Sequence, residues 1–65
     1  LYAYRIIAPE AARLLVPGGL LVVEVGHDQS DDVAGLMVAS GLTLPAPPQA
    51  DLGGIRRAVS GQKKP

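Results

Sequence analysis

The sequence contains no cysteine, no phenylalanine and no tryptophan, and it has only two tyrosines. Without cysteine there is no disulfide framework and no thiolate metal site, and one histidine supplies too few ligands for a structural zinc ion. No apolar run approaches the ~20 residues that cross a bilayer, and no signal peptide is visible, so we expect a cytoplasmic protein without metal or membrane. The core must be built from leucine, valine, isoleucine and alanine.

The chain is also short, at 65 residues. A chain of this length buries only roughly 60% of its unfolded surface and is marginally stable unless it is stapled. It begins with leucine rather than methionine, as an excised or truncated segment would. We therefore interpret residues 1–65 as the C-terminal piece of a larger enzyme, ordered over 1–61 and ending in a tail over 62–65.

Charge is balanced overall but unevenly distributed, with a net charge of −3 over residues 1–32 and +3 over residues 33–65. The basic side chains of the second half are Arg56, Arg57, Lys63 and Lys64. No aromatic residue lies beside them for stacking on bases, so direct nucleic-acid binding is not favoured. The simpler interpretation is that these basic side chains lie in solvent on a strand end and a tail.

The residue pattern predicts an α/β arrangement that begins with a helix over residues 1–16. Its apolar positions recur at three- and four-residue spacing: Tyr4, Ile7, Ala11, Leu14 and Leu15. Pro9 should kink this helix or restart it. Pro17, Gly18 and Gly19 then stop the helix and reverse the chain. Leu20–Val25 follows as a strand, and its unbroken apolar run predicts burial on both faces, as in a parallel sheet covered by helices.

A second helix is predicted over residues 31–40, with Ser30 as its N-cap and Gly41 as its stop. Its expected inward face comprises Val33, Leu36, Met37 and Ser40. Leu42–Leu44 is an edge strand or a loop, because three prolines follow it. Asp51–Gly54 reads as a turn, and Ile55–Ser60 as the terminal strand.

The candidate functional residues cluster after the first strand. Glu24 lies near its carboxyl end, where open α/β sheets bind ligands, and a carboxylate buried there is costly unless it is used or paired. Two interpretations stay open, a functional carboxylate and one that caps backbone or pairs with an arginine. His27 is a conceivable general base, but a solvated loop histidine is favoured. Gly26 suits a sharp exit or a positive φ, and Gln29 binds a ligand or orients the loop. Arg57 and Asp51 are expected to pair with each other or to hold the terminal hairpin, a structural role in either case.

Taken in order, these segments resemble the C-terminus of the HemK/PrmC family, the peptide-chain release factor glutamine methyltransferases. The family pattern is Leu-x-Pro-Gly-Gly, a strand ending Glu-Ile-Gly-x-x-Gln, and later Asp-Leu-x-Gly-x-x-Arg-x-Val-x-Gly. The matching residues are Leu15, Pro17, Gly18, Gly19, Glu24, Val25 for the usual isoleucine, Gly26, Gln29, Asp51, Leu52, Gly54, Arg57, Val59 and Gly61. The proline-rich stretch Pro45–Pro48 departs from the usual edge strand.

The resemblance implies the C-terminal part of a class I, Rossmann-like methyltransferase sheet with an antiparallel terminal strand. Such enzymes transfer a methyl group from S-adenosylmethionine to the glutamine of the Gly-Gly-Gln motif in release factors. The cofactor loop and the Asn-Pro-Pro-Tyr substrate motif lie upstream, so this segment contains no catalytic or cofactor-binding residue. The resemblance places Glu24, Gly26 and Gln29 on the rim of the substrate pocket, beside the strand that ends in Asn-Pro-Pro-Tyr. Residues of the structural motifs are Pro17, Gly18, Gly19, Asp51, Gly54 and Arg57.

Two other functions remain open at this point. One is a methyltransferase of the same fold that acts on RNA, DNA or a small molecule, since Pro-Gly-Gly before an apolar strand is common in that superfamily. The other is a non-catalytic α/β interaction module. As a fragment of a methyltransferase, the isolated segment is expected to be inactive and to self-associate, because a strand meant for coverage on both sides lacks its neighbours.

Overall fold

The computed structural model describes residues 2–50 and 54–65 and contains two helices and three strands within those ranges. In chain order they are α1 (Tyr2–Leu14), β1 (Leu20–Gly26), α2 (Ser30–Ala39), β2 (Gln49–Ala50) and β3 (Arg56–Gln62). The predicted succession of helix, central strand, helix and terminal strand is confirmed. The predicted turn at Asp51–Gly54 lies largely outside the described residues, although Gly54 has a turn-like φ of 71°.

The sheet has the strand order β1-β3-β2, and β3 runs antiparallel to both of its neighbours. β1 and β2 are consequently parallel to each other, and α2 with the loop after it forms the connection between them. In the β1–β3 register, Val23 lies opposite Val59 and Val25 lies opposite Arg57. The terminal strand is therefore antiparallel to its neighbours, as the resemblance implies.

The prediction that β1 is buried on both faces is wrong for this chain. Exposure alternates along the strand: Val25 is 2% exposed, whereas Leu20 and Val22 are 53% and 57% exposed. The cause is that both helices pack against the same face of the sheet, which we call the inner face. The opposite, outer face carries Leu20, Val22 and Glu24 from β1, and no helix among the described residues covers it.

The core between the inner face and the helices is aliphatic, as the shortage of aromatic residues requires. Its buried members are Val25, Val33, Ala34, Met37, Leu42 and Val59, and partly buried Tyr4, Ala12, Leu15, Leu21 and Val23 pack around them. Met37 is 0% exposed and lies at the centre of this cluster. Val33 and Met37 confirm the predicted inward face of α2. Leu36 and Ser40 are only half-buried, and the other buried residues of α2 are Ser30 and Ala34.

Helix α1 is continuous through Pro9, so it does not restart there. Glu10 and Arg13 form an ion pair at 2.7 Å on its exposed side, which adds little stability because solvent screens it. After the helix, the N–H of Gly19 donates to the carbonyl of Val16 at 2.8 Å. Pro17 and Gly18, whose φ is 83°, occupy the two central positions of this turn, the arrangement of a type II β-turn.

Ser30 is not the N-cap of α2, which corrects the prediction. Gln29 occupies that position without a side-chain capping bond, while the hydroxyl of Ser30 donates to the carbonyl of His27 at 3.2 Å. The C-terminal stop does follow the prediction: Gly41 has a φ of 96°. Its N–H donates to Val38 and that of Leu42 to Met37, each at 3.0 Å, which together form a Schellman motif.

The segment after α2 and the end of the chain are joined by backbone hydrogen bonds. The backbones of Thr43 and Gln62 exchange two hydrogen bonds of 2.8 Å. The edge strand β2 forms later in the chain, at Gln49–Ala50. The tail predicted over 62–65 begins later than expected. β3 includes Gln62, and Lys63 donates to the carbonyl of Gly19 at 2.9 Å, because the turn after α1 supplies backbone partners that the sequence pattern did not reveal.

Candidate functional site

The candidate site is the carboxyl end of β1 together with the tight loop that follows it. The strand ends at Gly26, and the N–H of Gln29 donates back to the Gly26 carbonyl at 2.9 Å. The carbonyl of Gln29 then accepts the N–H of Val33 at 3.0 Å, within the first turn of α2. The loop is thus a single turn that is hydrogen-bonded to the strand before it and to the helix after it.

Two contacts from the start of β3 hold the other side of this loop. Both the backbone N–H and Nδ1 of His27 approach the carbonyl of Ile55, at 3.1 and 3.3 Å. The Nη2 of Arg56 donates to the backbone carbonyl of Glu24 at 2.7 Å. His27 is exposed, as the favoured interpretation requires, but its ring also contributes to anchoring the loop. The contact of Arg56 was not foreseen, because no spacing rule pairs a side chain with a backbone carbonyl across a sheet.

Glu24 differs from its prediction in one respect. The residue is exposed on the outer face, so in this chain its carboxylate carries no burial cost. The arginine that contacts Glu24 bonds to its backbone carbonyl rather than to its carboxylate. The one ion pair between described residues joins Arg13 to Glu10, so within that part of the chain the Glu24 carboxylate is available to another group.

Gly26 does not have the positive φ that was one of its two predicted roles. A Cβ built on it would instead lie 2.9 Å from Oδ1 of Asp28 and 3.9 Å from Oε1 of Gln29. The oxygens of these two side chains therefore fold back towards the strand end. The structure brings Glu24, Gly26 and Gln29 to one end of β1, and it adds Asp28, which the sequence analysis did not single out although it lies within the same tight turn.

The predicted Arg57–Asp51 pair involves Asp51, which lies outside the described residues. Arg57 itself lies opposite Val25 in the register and is half-buried. Its Nη1 is inaccessible to solvent and has no hydrogen-bond partner within residues 2–50 and 54–65.

The basic residues near the C-terminus do not share one function. Arg56 contacts the backbone carbonyl of Glu24, whereas Nζ of Lys63 donates to the carbonyl of Arg13 at 3.3 Å.

Other kinds of site are not evident in the described part of the chain. It contains no group of three acidic, histidine or cysteine side chains placed to hold a metal ion. Neither described helix is long and apolar enough to cross a membrane. An open cleft of about 370 Å³ lies between the helices, lined by Arg5, Asp31, Asp32, Gly35 and Leu36. None of the predicted site residues lines it.

Comparisons with known proteins identify the class and then the family. The chain is 49% identical over 63 residues to a release factor glutamine methyltransferase of Bradyrhizobium diazoefficiens and 48% identical over 65 residues to that of Caulobacter vibrioides. A third relative of the same name, from Rhodospirillum rubrum, is 41% identical over 61 residues. The matches cover 97%, 100% and 94% of this chain but only 21%, 22% and 18% of the relatives.

The fold and these matches define a small α/β segment of methyltransferase type. More particularly, the chain is homologous to a C-terminal segment of the release factor glutamine methyltransferases, which confirms the resemblance stated from the motifs. It spans about one fifth of the length of these relatives. No family model matches the chain. No solved structure matches it either.

Proposed function

We propose that this chain is the C-terminal part of the catalytic domain of a protein-glutamine methyltransferase. The full-length enzyme transfers a methyl group from S-adenosylmethionine to the side-chain amide nitrogen of the glutamine in the Gly-Gly-Gln motif of peptide-chain release factors. The observation that carries the proposal is identity of 48–49% to two release factor glutamine methyltransferases over almost the whole chain. This substrate class assigns the enzyme to the cytoplasm, the compartment of translation termination.

The sheet topology supports a class I, Rossmann-like placement within the full-length enzyme. β1 and β2 are parallel and are connected through α2, with the antiparallel β3 inserted between them. Parallel strands joined by a helix are the repeating unit of doubly wound sheets. In such a sheet the carboxyl end of β1 belongs to the ligand-binding edge, which is where Glu24, Gly26 and Gln29 lie.

We assign Glu24, Gly26 and Gln29 to the rim of the substrate pocket. S-adenosylmethionine supplies the methyl group, and the amide nitrogen that accepts it loses one proton. An exposed carboxylate at the strand end can accept a hydrogen bond from the substrate amide N–H, and Arg56 and His27 hold the backbone at Glu24 and in the loop that follows it. The residues present do not fit the cofactor, because the sequence has no glycine-rich turn opening a helix. The cofactor site therefore belongs to the upstream part of the enzyme.

The gene sequence upstream of Leu1 tests this proposal first. A glycine-rich loop after a predicted strand, followed by Asn-Pro-Pro-Tyr, supports the glutamine enzyme. A glycine-rich loop with a different substrate motif would instead favour a methyltransferase for RNA, DNA or a small molecule. The lack of both motifs would leave a non-catalytic module and would overturn the proposal.

The 65-residue chain alone is expected not to bind S-adenosylmethionine measurably. It lacks the backbone N–H cluster that a glycine-rich turn at a helix N-terminus provides for such cofactors. Isothermal titration of the chain with the cofactor measures this, and the full-length enzyme is the positive control. Micromolar binding by the chain alone would show that the cofactor site has been assigned to the wrong part of the enzyme.

The isolated chain is also expected to self-associate, because Leu20 and Val22 expose apolar surface on the outer face beside a strand edge that pairs with no other described strand. Sedimentation velocity over a wide concentration range measures this, because association depends on concentration. Val22→Lys should shift the chain towards monomer, whereas Val38→Lys, at a comparably exposed position on α2, should not. A compact monomer at every concentration would contradict the expectation.

A further inference from the structure

Arg56, the first residue of β3, lies on the same face of the sheet as Glu24. In the β1–β3 register it lies opposite Gly26, two positions beyond Glu24. Because side chains alternate between the two faces along a strand, Arg56 and Glu24 are diagonal neighbours on the outer face, a spacing that long side chains bridge. The residue directly opposite Arg56 is a glycine, so no side chain at that position separates the guanidinium from Glu24.

The pairing of the two strands leaves the Glu24 carbonyl without a backbone partner on β3. In an antiparallel pair, hydrogen-bonded positions alternate with positions whose N–H and C=O groups point away from the partner strand. The N–H of His27 donates to the Ile55 carbonyl at 3.1 Å, so the bonded positions along this ladder are the odd-numbered residues. Glu24 therefore directs its carbonyl away from β3, and Nη2 of Arg56 reaches this oxygen at 2.7 Å.

This contact restrains the backbone of Glu24 without engaging its side chain. A hydrogen bond from an ionised donor is shorter and stronger than one between neutral groups. The Glu24 carboxylate forms no ion pair with a described residue, so the guanidinium does not occupy the group assigned to the pocket rim. The direction of a side chain follows from the backbone that carries it. A carbonyl held in place thus limits the directions in which the Glu24 carboxylate can point.

We propose that Arg56 is a positioning residue for methyl transfer, because its guanidinium holds the backbone of Glu24 where the carboxylate meets the substrate amide. This inference rests on the proposed function, which assigns Glu24 to the rim of the substrate pocket. Turnover depends steeply on the placement of groups that orient a substrate. Loss of the Arg56 contact removes one hydrogen bond and leaves the carboxylate present, so it should cost less than loss of the carboxylate itself.

Steady-state kinetics on the full-length enzyme test this role. Arg56→Ala should lower kcat about two- to tenfold, as one hydrogen bond allows, and should leave the KM for S-adenosylmethionine unchanged. Arg13→Ala is the matched control, because Arg13 is an exposed arginine in the last turn of α1, close to the opposite end of β1. It should leave kcat unchanged. A normal kcat in Arg56→Ala would overturn the proposal.

A double-mutant cycle distinguishes positioning from a general effect on stability. In the Glu24→Ala background, Arg56→Ala should cause no further loss of kcat, because the carboxylate that it positions is gone. Free guanidinium ion, added below denaturing concentrations, should restore part of the kcat of Arg56→Ala and none of that of Glu24→Ala. Equal losses in both backgrounds would overturn the proposal. So would a loss that accompanies a lower melting temperature and that guanidinium does not restore.

The NMR signal of the isotope-labelled Glu24 carbonyl carbon gives a readout that does not depend on methyl transfer. This carbon resonates further downfield when its oxygen accepts a hydrogen bond, so Arg56→Ala should move the signal upfield and Arg13→Ala should not. An unmoved signal would show that the contact is absent from the full-length enzyme and would overturn the proposal. A moved signal in an enzyme that methylates no release factor would overturn the proposed function, and the positioning role with it.

Discussion

Met37→Ala is expected to destabilise the full-length enzyme by about 2–5 kcal/mol, the usual cost of truncating a large buried side chain to alanine. Met37 is 0% exposed and lies between α2 and the inner face of the sheet, so its loss leaves a cavity that few neighbours can fill. Urea unfolding measures the effect. Val38→Ala is the control, because the next residue along the same helix is 54% exposed and should change stability by less than about 0.5 kcal/mol. Equal effects of the two substitutions would contradict the assignment of the core.

The partner of Met37 across this core is Gly61, and the pair gives a second readout. A Cβ on Gly61 would lie 2.8 Å from Sδ of Met37 and 2.9 Å from Cδ1 of Leu42. Gly61→Ala should therefore cost about 1–3 kcal/mol by overpacking. In the Met37→Ala background the same substitution should cost less, because the sulfur that it meets is gone. Additive effects in this double-mutant cycle would mean that the two positions do not touch.

Glu24→Ala in the full-length enzyme is expected to lower turnover about ten- to a hundredfold while leaving the melting temperature nearly unchanged. A hydrogen bond to a carboxylate is worth roughly 1.5–3 kcal/mol when it acts in the transition state. The structure separates this role from folding, since Glu24 is exposed and its carboxylate has no salt bridge to any described residue. Steady-state kinetics and thermal melts on the same variant provide the two measurements.

His27→Ala is the matched control for Glu24, since it lies in the same loop and removes only an exposed contact to the Ile55 carbonyl. It should change turnover and stability little. If Glu24→Ala instead kept normal turnover and lowered the melting temperature, Glu24 would be a structural residue that anchors the Gly26–Gln29 loop, and its place on the pocket rim would be lost.

The elements of the fold were predictable because local signals mark their ends. The proline and two glycines after α1, and Gly41 after α2, are read directly as a turn and a stop, and two of these glycines do have positive φ. The burial of β1 was not predictable in the same way. An unbroken apolar run indicates how a strand is buried in a complete sheet. In the described part of this chain, helices cover only the inner face of the sheet.

The other incorrect predictions involve hydrogen-bond partners that are distant in sequence or that compete with the predicted partner nearby. Ser30 has the chemistry of an N-cap, but its hydroxyl bonds to the His27 carbonyl instead. Lys63 joins the sheet region through Gly18 and Gly19, residues far from it along the chain. For the site, Glu24, Gly26 and Gln29 lie at one strand end, and their place on a pocket rim stays a prediction. The sequence did not predict the contact of Arg56 with the Glu24 carbonyl, because every residue has a backbone carbonyl and the residue pattern does not indicate which side chain bonds to it.

Methyl transfer to a release factor is the decisive assay for membership of this chain in a glutamine methyltransferase. The full-length enzyme is incubated with methyl-labelled S-adenosylmethionine and a release factor, and mass spectrometry locates the label. A release factor whose Gly-Gly-Gln glutamine is replaced by glutamate is the control. We expect a methyl group on the amide nitrogen of that glutamine and none on the control. Label that appears on RNA, DNA or a small molecule, or on no acceptor while the enzyme binds its cofactor, would contradict it.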